Sequence, residues 1–421
     1  MIFYPLKDKI FYGWVIALAG FLISVIGIGL RYSFGIFLKS LEVDFTMSRG
    51  LTSSVFSLYM LLCCLVAIAG GWAFDRYGPR KVGLFMGTFT GLSLLVTSQV
   101  NASWQLFISY GILLSLGTGA TYTVVNATTS RWFFKKRGLA VGLTSSGGGL
   151  GTIAIAPFAT YLISNFDWRQ AFIVLGLIAW LGIALLSLVL KKDPHEIGAE
   201  PDGMQSIIAN QLKNKGNKEI RVRLSDYSLR QAIRMPPFWL LGFTWLLLSL
   251  DLHLIVVHIV PHALELGVSP MDAALILSLM GMTNLVGRLG MGRVSDTLGR
   301  TKLGITCTLV QAGSLLWLIW ARELWMLYMF GMVFGFLWGG LGAVITALVG
   351  DVFGISSIGV IMGTMSAMWA LGAAMGPALA GYIFDMSNSY SIAFAIGAIG
   401  ILMAAPLMGL MGKKEIWRKS L

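Results

Sequence analysis

Two short stretches of the chain share one pattern: GGWAFDRYGPRK at Gly70–Lys81 and MGRVSDTLGRTK at Met291–Lys302. In both, an aspartate stands four residues after a glycine, and a further glycine and basic residues follow it. The two copies are about 221 residues apart, and the same offset relates Trp104 to Trp325. A shared offset of about half the chain length indicates that one unit has been duplicated.

Long apolar segments surround both stretches. Hydrophobic residues make up 56% of the 421 residues and charged residues only 12%, against roughly 25% charged in soluble domains. A membrane crossing takes about 20 helical residues. The apolar segments run over residues 12–38, 51–74, 82–99, 104–130, 139–163 and 168–190, and then over 237–263, 271–292, 303–321, 325–350, 358–384 and 389–411. Little of the chain is left for a soluble domain with its own core.

The segments predict an all-α membrane protein of twelve transmembrane helices, arranged as two pseudo-symmetric six-helix bundles. We expect the N-terminal bundle over residues 1–190 and the C-terminal bundle, with a short tail, over residues 236–421. A polar linker over residues 191–235 separates the bundles. The first apolar run has no clear small-residue cleavage site, so we expect it to be retained as the first helix.

The basic residues indicate how the chain lies in the membrane. The net charge is +12, and most Lys and Arg fall in loops on one side, whereas the loops of the other side hold Lys39, Arg49, Arg169 and Arg322. By the positive-inside rule, both termini are cytoplasmic, in a cell (inner) membrane. This distribution argues against nucleic acid as a partner. No phosphate-binding loop, zinc motif or catalytic set is evident, so we expect neither enzyme activity nor a cofactor or metal.

The two quoted stretches resemble the signature loop of the major facilitator superfamily. The resemblance implies the major facilitator fold, with a site between two bundles that rocking exposes to either side. It also implies a conformational latch, in which Asp75 faces the start of the eleventh helix and pairs with Arg131 or Arg137. The latch residues are Gly71, Asp75, Arg76, Gly78, Arg80, Arg131, Arg137 and Asp296. The second copy has Thr297 and Thr301 where the first has arginines, so we expect weaker ionic contacts there.

Three further motifs resemble the monocarboxylate transporter family and its oxalate/formate antiporter relatives. They are SFGIFLKSLEVDF at Ser33–Phe45, RWFFKKRGLAVGL at Arg131–Leu143, and the segment around Arg288 in the eighth helix. The family typically has an aspartate one turn before this arginine, whereas this chain has Asn284. The resemblance therefore implies a carrier of small carboxylates, and the asparagine argues against proton coupling through that pair of residues.

Arg288 is the residue that we expect to bind substrate. It lies inside an apolar span, where a charge costs about 2.5 to 3.5 kcal/mol, and its planar guanidinium can hold a carboxylate through two hydrogen bonds. The alternative is a structural ion pair, or snorkelling toward the cytoplasm. The other residues expected around the substrate are Tyr122, Asn126, Asn284, Phe334, Trp338 and Trp369. The eleventh helix has no cation, which favours a monoanion over a dianion.

Asp251, Arg31 and His258 are the residues expected to couple protons or to gate the path. Asp251 is the only carboxylate near the middle of a predicted span, and the 221-residue offset puts Arg31 at a comparable depth. Asp251 either changes protonation when an arginine engages substrate or forms a permanent pair with Arg31. His258 either lines the outer path or packs as a hydrogen-bonded histidine. Its spacing to His262 matches a metal site, but Pro261 interrupts the helix between them.

The sequence predicts a secondary transporter of small organic monoanions, such as lactate or pyruvate, that works by alternating access with proton symport. Organic anion exchange of the oxalate/formate kind is the near alternative. A drug or sugar carrier and a transporter-like sensor are more distant ones. The expected partners are a small carboxylate, a proton or counter-anion and the lipid bilayer, and we expect a monomer to suffice.

Overall fold

Almost all of the described residues are helical. A computed structural model of the chain describes residues 11–133, 136–200, 227–353 and 358–411. Within them, eleven helices are long and apolar enough to cross a membrane. One of these, Arg49–Thr97, has 49 residues, which at 1.5 Å per residue is more than twice the roughly 30 Å core of a bilayer. That helix therefore provides two crossings.

Gly78 divides this long helix. Its φ of 79° and ψ of 166° lie where residues with a Cβ are rarely found. Pro79 takes the first position of the helix that follows, where a backbone N–H is not needed. We label the two parts α2 (residues 49–77) and α3 (residues 79–97). The described part of the chain thus has twelve crossings, and the predicted all-α membrane architecture is confirmed.

The other crossings follow the predicted segments closely. In the first half, α1 is Tyr12–Phe45 with a turn at Ser33, α4 is Ser103–Trp132 with a π-helical stretch at Phe107–Leu113, α5 is Arg137–Asn165 and α6 is Trp168–Val189. In the second half, α7 is Pro236–Glu265, α8 is Pro270–Leu298, α9 is Arg300–Trp320, α10 is Leu324–Phe353, α11 is Ile358–Ser387 and α12 is Ser391–Met411. Most of the linker lies outside the described residues.

The same helix contacts recur in both halves. A Cβ on Gly151 of α5 would lie 2.2 Å from the Val25 carbonyl oxygen of α1, and a Cβ on Gly376 of α11 would lie 2.2 Å from the Leu250 carbonyl oxygen of α7. Only glycine fits at such distances. Both residues of the second pair stand 225 positions after their counterparts. The duplication therefore holds in the structure, with a larger offset in α7 and α11 than in the signature loops.

The described contacts between the two halves lie at mid-depth and on one side of the membrane. We call the side with the α2–α3 and α8–α9 connections the basic side, and the opposite one the far side. Gly149 of α5 and Gly281 of α8 meet at mid-depth, and Gly381 of α11 packs on the start of α2 near the far side. Gly142 and Gly363 lie on the same helix faces but nearer the basic side. A Cβ at either position would have no described atom within 4 Å. Among the described residues, the halves therefore meet at mid-depth and on the far side, and no such contact reaches these two glycines.

Candidate functional site

Five rings meet at mid-depth where the two halves contact each other, and we call them the central cluster. They are Tyr32 of α1, Phe56 of α2, His253 of α7, Trp338 of α10 and Trp369 of α11. The Tyr32 ring lies 5.5 Å from that of Trp338 and 6.1 Å from that of His253. The His253 ring lies 5.8 Å from that of Trp369 and 6.3 Å from that of Phe56. Because both halves contribute rings, any rocking of the halves must rearrange this cluster.

Arg288 on α8 lies beside the central cluster. Tyr32 is within electrostatic reach of both Arg288 and Arg31. The Arg288 Nη2 atom is 3.9 Å from where a Cβ on Gly342 of α10 would stand, and its Nε has no hydrogen-bond partner. Among the described residues, no carboxylate lies within 4.0 Å of this guanidinium. The alternative of a structural ion pair at Arg288 therefore has no partner in this part of the chain.

Three polar residues were expected to accompany Arg288. Asn284, one turn before it on α8, is buried, and its Nδ2 has no hydrogen-bond partner. Asn126 on α4 accepts a hydrogen bond from Thr144 Oγ1 at 3.0 Å, and its Nδ2 is also without a partner. Tyr122 is 57% exposed. Two buried amide groups thus retain free donors, and contact between any of these residues and a substrate stays a prediction.

The predicted aromatic wall is only partly present. Trp338 and Trp369 belong to the central cluster and are half-buried. Phe334, one turn before Trp338, has no exposed surface and packs 5.3 Å from the Phe330 ring. In this conformation Phe334 is a core residue behind the wall. Nothing in the local sequence distinguishes it from Trp338, because both stand on one apolar face of α10.

Arg31 is held by its own half of the molecule. Its Nε donates a hydrogen bond to the Tyr59 hydroxyl at 3.1 Å, and its guanidinium lies 5.7 Å from the centre of the Tyr59 ring. The Tyr59 hydroxyl in turn contacts Thr118 Oγ1 at 2.7 Å. Arg31 is therefore oriented by α2 and α4, and it does not reach α7 through an ion pair.

Asp251 does not pair with Arg31, and the expectation that their depths correspond is wrong. The Asp251 Oδ2 atom accepts a hydrogen bond from Gln311 Nε2 of α9 at 2.9 Å, and Oδ1 lies 3.0 Å from where a Cβ on Gly397 of α12 would stand. Asp251 thus faces the interior of the second half. With the 225-residue offset its counterpart in α1 is Ile26, five residues and about 7.5 Å along the helix from Arg31.

A group of five residues closes the far side, and we call it the far-side lock. The Arg49 Nε and Nη2 atoms donate to the Glu42 carboxylate at 2.8 and 3.1 Å. Its Nη1 donates to Glu265 of α7 and, at 2.9 Å, to the Tyr390 hydroxyl. The Asp385 carboxylate accepts two backbone N–H groups at the start of α2, at 2.9 and 2.7 Å. Only 5% of the Arg49 side chain is exposed, against 35% of that of Glu265, so the lock is a polar contact between the halves whose arginine is buried.

His258 of α7 lies next to the far-side lock and contacts both halves. Its Nε2 lies 2.9 Å from the Pro377 carbonyl oxygen and 3.2 Å from Ser53 Oγ, and its Nδ1 lies 3.0 Å from the Tyr390 hydroxyl. A carbonyl oxygen can only accept, so in the neutral ring Nε2 carries the hydrogen and Nδ1 accepts from the tyrosine. Both ring nitrogens are engaged. Of the two interpretations of His258, the hydrogen-bonded one describes this conformation.

The first signature loop carries the ion pair that the resemblance implied. The Asp75 Oδ1 atom accepts a hydrogen bond from Arg131 Nη2 of α4 at 2.7 Å. Arg76 lies over two aromatic rings of α2, with its guanidinium carbon 5.5 and 5.6 Å from their centres. The side chains of Arg137 and Asp296 and the start of α11 lie outside the described part of the structure. Contact between Asp75 and α11 therefore stays a prediction.

The second signature loop has an ion pair of opposite polarity. At the start of α9, the Arg300 Nη1 atom donates to the Asp351 carboxylate of α10 and, at 2.9 Å, to the Ala347 carbonyl oxygen. The loop supplies the base and the neighbouring helix the acid, whereas the first half has the reverse. The expectation of weaker ionic contacts here, which rests on Thr297 and Thr301, overlooks this pair.

Sequence comparison relates nearly the whole chain to a family of transporters. The profile described as Major Facilitator Superfamily matches residues 17–288 and 241–419. Monocarboxylate transporter 12 of Xenopus laevis is 26% identical over 412 residues, which are 95% of this chain and 88% of that protein. Monocarboxylate transporter 13 of Bos taurus is 25% identical over 403 residues, 94% of this chain and 88% of that one.

Solved structures share the fold. A bacterial homolog of the human lysosomal transporter Spinster, crystallised inward-facing and unoccupied, superposes with a TM-score of 0.75 at 14% identity, covering 98% of this chain and 99% of that one. The D-xylose-proton symporter superposes with a TM-score of 0.73 at 16% identity, covering 94% of this chain and 97% of that one. At these identities the likeness describes the fold alone.

Proposed function

Because the chain belongs to the major facilitator superfamily and is a multi-pass membrane transporter related to the monocarboxylate transporters, we propose that it carries small organic monoanions by alternating access. Lactate and pyruvate are the type of substrate, and proton symport is the proposed coupling. The relatives and the solved structures compared with it are transporters, and this chain is likewise a transporter and not an enzyme.

The observation that carries the proposal is that the Arg288 guanidinium has no ion-pair partner among the described residues. A charged side chain within a span is costly unless an opposite charge or hydrogen bonds offset it. The Arg288 Nε has no partner, and among the described residues no carboxylate lies within 4.0 Å. A substrate carboxylate supplies both the opposite charge and the acceptors, in the two-bond geometry that arginine favours. Arg288 is therefore the proposed binding residue.

The surroundings of Arg288 suit a short carbon skeleton with one charge. The rings of Tyr32, Trp338 and Trp369 provide apolar surface, and the free Nδ2 of Asn284 provides a hydrogen-bond donor one turn from Arg288. The α11 sequence contains no Lys or Arg. A dianion would need a second cation, so these features favour a monocarboxylate.

Asp251 or the substrate itself is the proposed carrier of the coupled proton. The Asp251 side chain is 1% exposed, and its Oδ1 has no hydrogen-bond partner. A buried carboxylate charge without a cation is unfavourable, so binding of a proton there would change the stability of the second half. Since Asp251 faces α9 and α12 and not the central cluster, its influence on substrate would pass through α7, which also carries His253.

The basic side is the proposed cytoplasmic side of a cell membrane, with both termini on it. Most Lys and Arg lie in its loops, as the positive-inside rule requires. We propose that the described conformation, with the far-side lock formed, is the inward-facing one. One chain contains every residue of the central cluster, which supports a functional monomer.

Uptake of labelled lactate into proteoliposomes, with and without an inward proton gradient, tests the proposal. We expect gradient-driven uptake, and at least about tenfold less of it in Arg288→Gln, because a charge-assisted contact is lost. Arg322→Gln, which removes an arginine from the α9–α10 connection, is the matched control and should transport normally. Equal transport by Arg288→Gln and Arg322→Gln would refute the role of Arg288.

Anion exchange of the oxalate/formate kind is the second candidate function. It is favoured by Asn284, because the monocarboxylate transporter motif that this segment resembles typically has an aspartate there, and by the position of Asp251 away from the central cluster. Exchange predicts uptake that requires an organic anion inside the vesicles and ignores the proton gradient. Binding without flux under either condition would instead identify a sensor.

A further inference from the structure

A cavity of about 240 Å³ lies on the basic side, between the first signature loop and the end of α6. Residues 77–81 form one wall and residues 188–192 the other, with Glu196 at the edge. The volume is below the roughly 300 to 1,000 Å³ of sites for drug-sized ligands. It therefore suits a small ion or the headgroup of a larger molecule.

The charge of the lining is strongly positive. Arg80, Lys81, Lys191 and Lys192 border the cavity, against the single acid Glu196. Among the described residues, none of these four bases has a carboxylate within 4.0 Å. The Lys192 ammonium donates to the Asp75 backbone oxygen, and the Lys191 ammonium lies 5.5 Å from the Tyr12 ring. The bases are thus gathered around a common space without being neutralised.

The backbone adds to this positive field. The break at Gly78 makes residues 79–81 the first turn of α3, and this turn lines the cavity. Pro79 has no N–H group, so Arg80 and Lys81 supply the backbone N–H groups of this turn that carry partial positive charge. Gly78, which precedes the turn, has no side chain that could act as a cap.

The second signature loop differs from the first in its bases. Thr301 stands at the position equivalent to Arg80, and Arg300 is paired with Asp351. Of the residues equivalent to Arg80 and Lys81, the second loop therefore has only the base Lys302.

We propose that this cavity binds a phosphate-bearing anion, either the headgroup of an anionic lipid or a free phosphate. A phosphate group carries two or more charged oxygen acceptors on one centre, which match bases placed on two walls of one cavity. Tyr77 and Leu188, which also line the cavity, are half or nearly half exposed, so an acyl chain can leave the cavity along an apolar edge. The site is separate from the central cluster and does not depend on the transported substrate.

Native mass spectrometry of the purified full chain with added phosphatidylglycerol or phosphatidylcholine tests the lipid source. Polybasic contacts contribute roughly 1 kcal/mol per residue, so Arg80→Gln with Lys81→Gln should weaken phosphatidylglycerol binding by about thirtyfold. Lys302→Gln, at the position equivalent to Lys81, should bind like the unchanged chain. Circular dichroism and size-exclusion chromatography verify that each variant folds.

Thermal unfolding in detergent with added inorganic phosphate tests the free-ion source. Stabilisation by phosphate that is lost in the double variant, without a preference for phosphatidylglycerol, would assign the site to a soluble phosphate. If neither probe distinguishes the double variant from the unchanged chain, or if Lys302→Gln loses binding equally, the proposal is wrong.

Discussion

Arg49 at the start of α2 and Glu265 at the end of α7 form an ion pair that joins the two halves on the far side. Arg49 also binds Glu42 of its own half. Opening the far side must therefore separate Arg49 from Glu265 and Tyr390, while Glu42 can remain bound and keep the guanidinium paired. An arginine with a permanent partner in one half and a second partner in the other is suited to a reversible contact.

Arg49→Gln should destabilise the closed far side. Loss of one partner of a buried pair leaves the other unpaired, so we expect hydrogen exchange in the segment around residues 384–390 to accelerate by at least about tenfold. Hydrogen–deuterium exchange with mass spectrometry measures this. Arg169→Gln is the matched control, because Arg169 pairs on the same side with Asp44 of its own half. Equal hydrogen exchange in the two variants would show that Arg49 does not hold the far side closed.

Tyr390→Phe should lower the stability of the state in which the far-side lock is formed. The hydroxyl accepts from Arg49 and donates to His258 Nδ1. Its removal leaves the buried His258 Nδ1 without a partner, at a cost of roughly 1 to 3 kcal/mol, whereas Arg49 keeps Glu42 and Glu265. A lower midpoint of thermal unfolding in detergent is the expected result. Tyr382→Phe is the control, since that exposed hydroxyl makes one long contact of 3.5 Å with Ser54. Identical midpoints for both variants would contradict the prediction.

Asp251→Asn should separate proton coupling from substrate exchange. The asparagine keeps an acceptor for Gln311 but cannot bind a proton as a carboxylate does. We expect gradient-driven lactate uptake to fall about tenfold, with counterflow between loaded vesicles preserved. Asp272→Asn, in the first turn of α8, should leave both fluxes intact. If gradient-driven uptake persists in Asp251→Asn, the coupled proton is carried by the substrate and not by Asp251.

Gly151→Ala and Gly376→Ala should each disrupt folding. A methyl group at either position would stand 2.2 Å from a carbonyl oxygen of the neighbouring helix, so two packed helices must move apart. The yield of monodisperse protein after extraction is the measurement, and we expect a severe loss. Gly142→Ala, where no described atom lies within 4 Å, should be extracted normally. Normal yield of the first two variants would show that these helix contacts are looser than described.

The sequence predicts the helices well, and it draws attention to Arg288, because both features are local. Apolar segments of about 20 residues and a lone charge within one of them are visible without knowledge of any contact. The far-side lock was not predicted, because Arg49 meets Glu265 and Tyr390 across 216 and 341 residues. In sequence, Arg49 is simply a basic residue in a loop. His253 and Tyr32 were missed for a similar reason, since a buried ring at an interface has the same local pattern as a ring in a core.

The offset between the two halves is 221 residues at the signature loops and 225 residues at α7 and α11. The matching stretches of the two halves therefore differ in length. From α7 to the second signature loop the chain is four residues shorter than the matching stretch of the first half, and from that loop to α11 it is four residues longer. Four residues are close to one helical turn of 3.6. Length changes of whole turns keep each glycine face against its neighbour, whereas a change of two residues would rotate that face away by about half a turn. In this chain, each of the two length differences between the halves is therefore about one helical turn, which keeps the glycine contacts of α5 and α11 in place.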